Sequence, residues 1–181
     1  MNTSFRLCIT TKPFDVNDQS GKKIGEIDRD YWSWTPDFNY YDANNKLQAH
    51  GKTEFFSWGT TNDIDDGNGH ALGTFKKEII TSLLGFGVTN RYSLLDGQGN
   101  TIGTSDKSQF LATDMTLKDN SGATIAIAHR PWFNWFGDKW DVQILEPGVV
   151  DPRVVAMLPA FKTAGDNHKS SDSGSSSPKK K

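Results

Sequence analysis

Apolar and polar positions alternate in short runs along most of this chain. A period of two places successive apolar side chains on one face, which is typical of a strand with one buried side. Five such runs each lead into an aspartate. The fifth, before Asp66, is weaker, because Ile64 is apolar but Asn62 occupies the other alternating position. The four clear runs have the apolar pairs Phe14/Val16, Phe38/Tyr40, Tyr92/Leu94 and Met115/Leu117.

The same eight-residue turn pattern follows each of these runs. Asp stands first, Gly or Asn three positions later, and a small residue seven positions later. Asp at the start of a type I turn accepts backbone hydrogen bonds, and Gly or Asn takes the left-handed conformation that a hairpin bulge needs. A second strand follows each turn, so the pattern predicts five β-hairpins. The turn copies occupy residues 18–25, 42–49, 66–73, 96–103 and 119–126.

Two further strands complete the set. Residues 5–9 alternate at the start of the chain, and Trp140, Val142 and Ile144 alternate near its end. The fold class predicted is mainly β, with about twelve strands in meander order. A closed antiparallel barrel fits this order better than a propeller, because closure removes exposed strand edges. Residues 76–84 are also open to interpretation as a helical turn, although they contain β-branched side chains.

One apolar helix is predicted after the last strand. Asp151 suits the N-cap position and Pro152 the first helical position. Pro159 is expected to kink or end the helix, giving about three turns from 152 to roughly 162. A barrel of about twelve strands leaves a lumen that strand side chains alone do not fill, so the helix is predicted to lie inside it. The apolar residues that cover most of its circumference are Val154, Val155, Met157, Leu158 and Phe161.

The repeated D-x-x-G-x-x-I/L-G hairpins and the ending at residues 140–152 resemble the tubby C-terminal-like superfamily over about residues 5–163. Within it, the chain looks closest to the LURP-one-related and phospholipid scramblase branch. The resemblance implies a twelve-stranded antiparallel barrel enclosing a C-terminal apolar helix. Pro159 and Lys162 make this helix shorter than the family's usual one, which counts against a membrane-spanning role for it.

Composition divides the 181 residues into a barrel domain at 1–164 and a Ser/Lys-rich tail at 165–181. The tail has no large apolar residue and is predicted to be disordered.

The whole chain carries a net charge of −2 and the tail is basic, so the domain itself is acidic and no nucleic-acid partner is expected. Cys8 is the only cysteine and is interpreted as a small strand or core residue. Without a secretory start or a long apolar run, we expect an intracellular monomer, soluble or peripherally bound to membranes.

No catalytic constellation stands out, so we expect a protein that is not an enzyme. The four histidines lack metal-ligand spacing, and the glycine pairs belong to turns rather than to nucleotide loops. No cofactor is expected except at the acidic run 62–69. There Asp63, Asp65 and Asp66 offer oxygen ligands for a weak Ca²⁺ site, and an acidic surface turn is the alternative interpretation.

The densest aromatic segment lies between the last two strands, at residues 129–140. Its side chains are predicted to contact a membrane or a protein partner, or alternatively to cap the barrel end. Residues 31–35 and 55–58 are candidates for the same capping layer, and the alternation of Trp32 and Trp34 favours packing within a strand. The contact candidates of the dense segment are Trp132, Phe133, Trp135 and Phe136.

Basic residues on or near strands complete the candidate site. The superfamily resemblance implies binding of phosphoinositide-like headgroups by basic side chains of the barrel, whereas solvated strand faces are the alternative. We therefore predict a non-enzymatic barrel that binds phospholipid headgroups or a membrane surface peripherally. The alternative function is a protein-interaction or regulatory module that uses the 130–140 loop. The headgroup candidates are Lys22, Lys23, Lys76, Lys77, Arg91, Arg130 and Lys139.

Overall fold

Twelve antiparallel strands close into a barrel in the computed structural model, which describes residues 4–10, 14–30, 32–56, 59–81, 88–105, 114–130 and 139–172. Every strand pairs with its neighbours in sequence, and the first pairs with the last. The predicted barrel and its strand number are thus confirmed. The strands are β1 (Phe5–Thr10), β2 (Phe14–Asn17), β3 (Lys23–Asp30), β4 (Asp37–Asp42), β5 (Leu47–Phe56), β6 (Gly59–Asp65), β7 (Ala71–Thr81), β8 (Val88–Asp96), β9 (Thr101–Ser105), β10 (Asp114–Lys118), β11 (Thr124–His129) and β12 (Lys139–Ile144).

Strand β7 runs through most of the stretch for which a helical turn was an alternative. Ile79, Ile80 and Thr81 are the last three residues of β7 and pair with the start of β8. β-Branched side chains lose rotamer freedom in a helix and pack well in a sheet, so the strand prevails. The remaining residues of that stretch, 82–84, lie outside the described residues.

The aspartate turns form as their sequence predicts. In the first copy, the Oδ1 atom of Asp18 accepts hydrogen bonds from the backbone N–H groups of Ser20 at 2.8 Å and Lys22 at 3.0 Å. Gly21 has a φ of 84° and donates its N–H to the carbonyl oxygen of Asp18 at 3.0 Å. In the second copy Asn45 takes this left-handed position with a φ of 60°. The hydrogen bonds that define these turns are therefore local in sequence.

These hydrogen bonds lower the pKa of all five turn aspartates below its usual 3.8. The leading cause is a side-chain donor in four turns, namely Ser20, His70, Asn100 and Ser121, and the backbone N–H of Lys46 in the other. A carboxyl whose folded-state pKa is lowered stabilises the fold above its unfolded-state pKa and loses that contribution as pH falls. The carboxyls concerned are those of Asp18, Asp42, Asp66, Asp96 and Asp119.

We therefore expect the thermal unfolding midpoint to change little between about pH 7 and about pH 5, and to fall steadily below about pH 4. Circular dichroism melts across this range measure it. Asp119→Asn keeps an acceptor oxygen in its turn but removes one titrating group, so its midpoint should depend less steeply on pH. A wild-type midpoint that is the same at about pH 3 as at about pH 7 would contradict the expectation.

The described residues contain one helix, α1 (Pro152–Asp172), whose apolar residues from Val154 to Phe161 are buried inside the barrel. Asp151 caps it, because its Oδ1 atom accepts the backbone N–H of Arg153 at 2.9 Å. Phe161 packs edge to face against Phe38 of β4, with 5.2 Å between ring centroids. A Cβ atom on Gly51 of β5 would lie 2.5 Å from Cζ of Phe161, so the missing side chain makes room for the helix. The predicted burial of the helix is confirmed.

The helix is longer than predicted, and the estimate of three turns is wrong. It continues through Pro159 and Lys162 to Asp172, into the segment assigned by sequence to a disordered tail, while residues 173–181 lie outside the described residues. Buried residues on both sides of Pro159 hold the helix across the missing hydrogen bond. Once a helix has formed, each further residue adds one hydrogen bond at the entropic cost of fixing only that residue. A polar segment can therefore extend the helix. No helix among the described residues is both long and apolar enough to cross a membrane.

Candidate functional site

The two ends of the barrel differ in chemistry. All five aspartate turns join strands at one end, which we call the turn end. The opposite end, where β3 ends at Asp30, β5 at Phe56 and β11 at His129, we call the aromatic end. Strand β12 runs from the aromatic end to the turn end, and α1 returns inside the barrel. The last buried turn of the helix therefore lies near the aromatic end.

Two tryptophans project from the aromatic end into solvent. Trp32 and Trp34 expose 96% and 103% of the surface of a fully exposed tryptophan residue. Both lie in the turn between β3 and β4, so the predicted packing of this pair within a strand is wrong. Strand β3 stops at Asp30 because the Oδ1 atom of Asp30 accepts the backbone N–H of Trp32 at 2.9 Å and opens the turn.

The turn that carries these tryptophans is held by Asp37. The hydroxyl groups of Ser33 and Thr35 donate to its carboxylate at 2.7 Å and 2.8 Å, and the backbone N–H of Thr53 donates at 3.0 Å. Burial raises the pKa of Asp37, but the hydrogen bonds from Ser33, Thr53 and Thr35 outweigh it and leave the pKa below its usual range. The carboxylate thus stays ionised and fixes the turn, which presents two rings in a set position.

A third exposed aromatic side chain lies at the same end. Phe55 pairs with Thr60 one step from the end of the β5–β6 ladder, and 52% of its surface is exposed. Among the described residues, one large apolar side chain is exposed elsewhere, that of Val149, with 46% of its surface exposed. Val149 lies on the loop before α1, at the turn end. Trp132, Phe133, Trp135 and Phe136, the contact candidates from sequence, lie outside the described residues. The strands on either side of them, β11 and β12, meet at the aromatic end.

Five of the seven basic candidates lie towards the aromatic end, on strands spread from β7 to β12, and the other two lie at the turn end. Lys76 and Lys77 pair with Thr61 and Thr60, and Arg91 pairs with Glu78, all in the half of the barrel towards the aromatic end. Arg130 follows the end of β11 and Lys139 begins β12 at that end. Lys22 and Lys23 instead lie in the first hairpin at the turn end. There the Nζ atom of Lys23 contacts Asp15 and Glu26, each at 2.6 Å.

Inside the aromatic end, cationic side chains lie against aromatic rings. The guanidinium carbon of Arg130 is 5.7 Å from the ring centroid of Trp140, and the Nζ atom of Lys162 is 5.9 Å from the same centroid. Lys77 lies in the same way 5.8 Å from the ring of Tyr92. Sequence reasoning missed Lys162, whose only signal is its place directly after the apolar run of the helix.

Polar residues replace apolar ones on the inner face near this end. Thr53 donates its hydroxyl to Asn62 at 2.9 Å, and Asn62 donates to the carbonyl oxygen of Phe75 at 3.2 Å. Ser105 accepts the backbone N–H of Tyr92 at 3.2 Å. Asn62 is the residue that weakened the third apolar run, and it is buried inside the barrel as the alternation requires. The barrel interior is thus apolar at its middle and polar towards the aromatic end.

The three aspartates of the acidic run already accept hydrogen bonds from protein donors. Asp63 accepts the hydroxyl of Thr74 at 2.7 Å, Asp65 lies 3.2 Å from Nδ1 of His50, and Asp66 closes its own turn. Across the described ranges, no group of three or more His, Cys, Asp or Glu side chains is arranged to hold a metal ion. A weak calcium site at these residues stays a prediction.

Comparison with known proteins supports the fold. No protein-family model and no curated protein sequence matches the chain. Among solved structures, an X-ray structure of the Arabidopsis thaliana protein AT5G01750 is similar, with a TM-score of 0.58 and 12% sequence identity. The match covers 91% of this chain and 93% of that one. The closed twelve-stranded barrel of the described residues, the C-terminal helix and this similarity all fit the tubby-like fold.

Proposed function

We propose that this protein is a non-enzymatic barrel, related most closely to the LURP-one-related and scramblase branch of the tubby-like superfamily. In this proposal it binds anionic phospholipid headgroups at a membrane surface through its aromatic end. The observation that carries the proposal is the nearly complete exposure of Trp32 and Trp34 on a turn fixed by hydrogen bonds.

The exposed rings suit the boundary between headgroups and acyl chains. Tryptophan has a large apolar ring system with one polar N–H, and it is enriched where membranes meet water. Clustered exposed apolar side chains mark interaction surfaces on water-soluble domains. Because Asp30 and Asp37 already hold the turn, little backbone entropy is lost when Trp32 and Trp34 enter a membrane surface.

Charge favours the same orientation. The chain is acidic overall, with a net charge of −2, but its charges are unevenly placed. The five turn aspartates lie at the turn end, whereas Lys77, Arg91, Arg130 and Lys139 lie towards the aromatic end, which also carries Asp30, Asp37 and Glu54. In this proposal the basic side chains at the aromatic end attract an anionic surface, and the turn aspartates disfavour the opposite orientation. Electrostatic attraction and apolar insertion together supply the two signals that lasting peripheral binding requires.

Sedimentation with vesicles tests the proposal. We expect the full chain to sediment with vesicles of phosphatidylcholine containing phosphatidylserine, and much less with phosphatidylcholine alone. Binding should weaken as ionic strength rises, because salt screens the attraction of the basic side chains. Failure to sediment with anionic vesicles at low salt would contradict the proposal, and a protein-interaction module would then be the function to test.

A further inference from the structure

The third aspartate turn lacks a hydrogen bond that the other four turns make. In those four, the residue three positions after the aspartate donates its backbone N–H to the aspartate carbonyl oxygen at 2.9 or 3.0 Å. Gly69 holds this position in the third turn, and its N–H has no hydrogen-bond acceptor within the described part of the chain. The turn keeps the bonds from the N–H groups of Asn68 and His70 to the carboxylate of Asp66, at 2.9 Å and 3.1 Å.

Asp65 accounts for the difference. Its Oδ1 atom accepts the backbone N–H of Gly67 at 2.8 Å, and Gly67 has a φ of 77°. In the other four copies, the residue before the aspartate is Asn, Tyr, Leu or Lys and has no carboxylate. The left-handed glycine at position 67 changes the path of the chain, so that Gly69, with a φ of 88°, does not bond to the carbonyl oxygen of Asp66.

This arrangement sets Asn68 apart from the other asparagines that the structure describes. After Asn120, the N–H of Ser121 donates to Oδ1 of Asp119 at 2.8 Å. Each of the others precedes a residue of a strand or helix, or an N–H that is bonded within its turn. Asn68 is instead followed by a glycine whose backbone nitrogen is not held by any described group.

We infer that Asn68 is a site of spontaneous deamidation, in which the backbone nitrogen of Gly69 attacks the side-chain Cγ atom of Asn68. Asparagine is one of the chemically labile residues. Gly69 offers no steric barrier, because no heavy atom lies within 4 Å of the place that a Cβ atom would take. Both residues are exposed to water. The nitrogen of Gly69 can turn towards the side chain without first breaking a hydrogen bond, which would otherwise add to the barrier.

The modification needs water as its one co-reactant. A bond forms between the nitrogen of Gly69 and Cγ of Asn68, while the bond between Cγ and Nδ2 breaks. The proton of the Gly69 N–H leaves with the amide group as ammonia, and a cyclic succinimide remains. Water then opens the ring. Addition of water at Cγ gives aspartate, whereas addition at the backbone carbonyl carbon gives isoaspartate, whose main chain runs through the former side chain.

Both products place a new carboxylate in the third turn, beside Asp65 and Asp66. Like charges repel, so the acidic run becomes less favourable in its present geometry. Isoaspartate also lengthens the main chain between the two N–H groups that the carboxylate of Asp66 accepts. The inference concerns the turn end and is independent of the proposed function, which is assigned to Trp32 and Trp34 at the aromatic end.

Peptide mapping of the full chain by mass spectrometry tests the inference. During incubation of the native protein, the peptide that contains Asn68 should gain the mass difference between an amide and an acid. It should also separate by chromatography into aspartate and isoaspartate forms. Asn68→Gln should abolish the change at this position, because attack on the longer side chain forms a larger ring more slowly.

A parallel incubation in urea separates the effect of the open turn from that of the asparagine–glycine sequence. Asn120 should deamidate at least about tenfold more slowly in the native protein than in urea, since the N–H of Ser121 must first leave Asp119. Asn68 should react in the native protein within about threefold of its rate in urea. Absence of conversion in the native protein, or suppression of Asn68 by folding as strong as that of Asn120, would overturn the inference.

Discussion

Replacing Phe161 by Ala is expected to lower the free energy of unfolding by about 3–5 kcal/mol, a large share of the stability of a single domain. Phe161 is buried inside the barrel, where its ring meets Phe38 edge to face and lies against the space that Gly51 leaves open. Truncation removes these contacts and leaves a cavity between helix and strands that the closed barrel cannot collapse to fill. Urea unfolding followed by circular dichroism measures the change.

Val149→Ala is the matched control for this substitution. Val149 is also apolar and lies near the start of the helix, but 46% of its surface is exposed. Its truncation should change the free energy of unfolding by no more than about 0.5 kcal/mol. A loss below about 1 kcal/mol for Phe161→Ala would show that α1 does not fill the barrel, and the fold would need revision.

Replacing Trp32 and Trp34 together by Ala should reduce vesicle partitioning by about tenfold or more. A tenfold change in the partition coefficient corresponds to about 1.4 kcal/mol. Even partial burial of two indole rings in the membrane interface removes enough apolar area from water to contribute more free energy than this. Because both rings are exposed in the free protein, the double variant should keep its unfolding free energy within about 0.5 kcal/mol of wild type. Sedimentation and urea unfolding of the same preparation measure the two effects.

The control for the tryptophan pair is again Val149→Ala, since Val149 is an exposed apolar side chain at the opposite end of the barrel. It should bind vesicles as the wild type does. Equal binding by the double tryptophan variant would show that this turn does not touch the membrane. Unequal stability would show instead that the turn supports the fold.

The hairpins and the start of the helix were predictable because their determinants are local. In each turn, the aspartate carboxylate accepts backbone N–H groups from residues two and four positions later, as Asp18 does from Ser20 and Lys22. Asp151 likewise caps α1 through a donor only two residues away. Asn62 also faces inward as the alternation predicts, although it is polar where the other runs have an apolar residue. Its hydrogen-bond partners lie on neighbouring strands.

The site was less predictable because its geometry depends on contacts distant in sequence. Trp32 and Trp34 alternate as strand residues do, but Asp37 holds their turn open partly through the backbone of Thr53 on β5. Lys162 meets the ring of Trp140 only because the helix returns through the barrel beside β12. The sequence also predicts too early an end for α1, for a related reason. A proline by itself favours ending a helix, but buried residues on both sides of Pro159 hold this helix together.

The orientation of the barrel at a membrane tests the central claim most directly. In a Cys8→Ser background, a fluorophore is attached through Glu54→Cys near the aromatic end or through Gln98→Cys in a turn at the other end, both exposed positions. Vesicles containing brominated lipid report which label approaches the acyl chains. We predict quenching of the label at position 54 and none at position 98. Quenching at position 98 alone, or equal quenching at both, would contradict binding through the aromatic end.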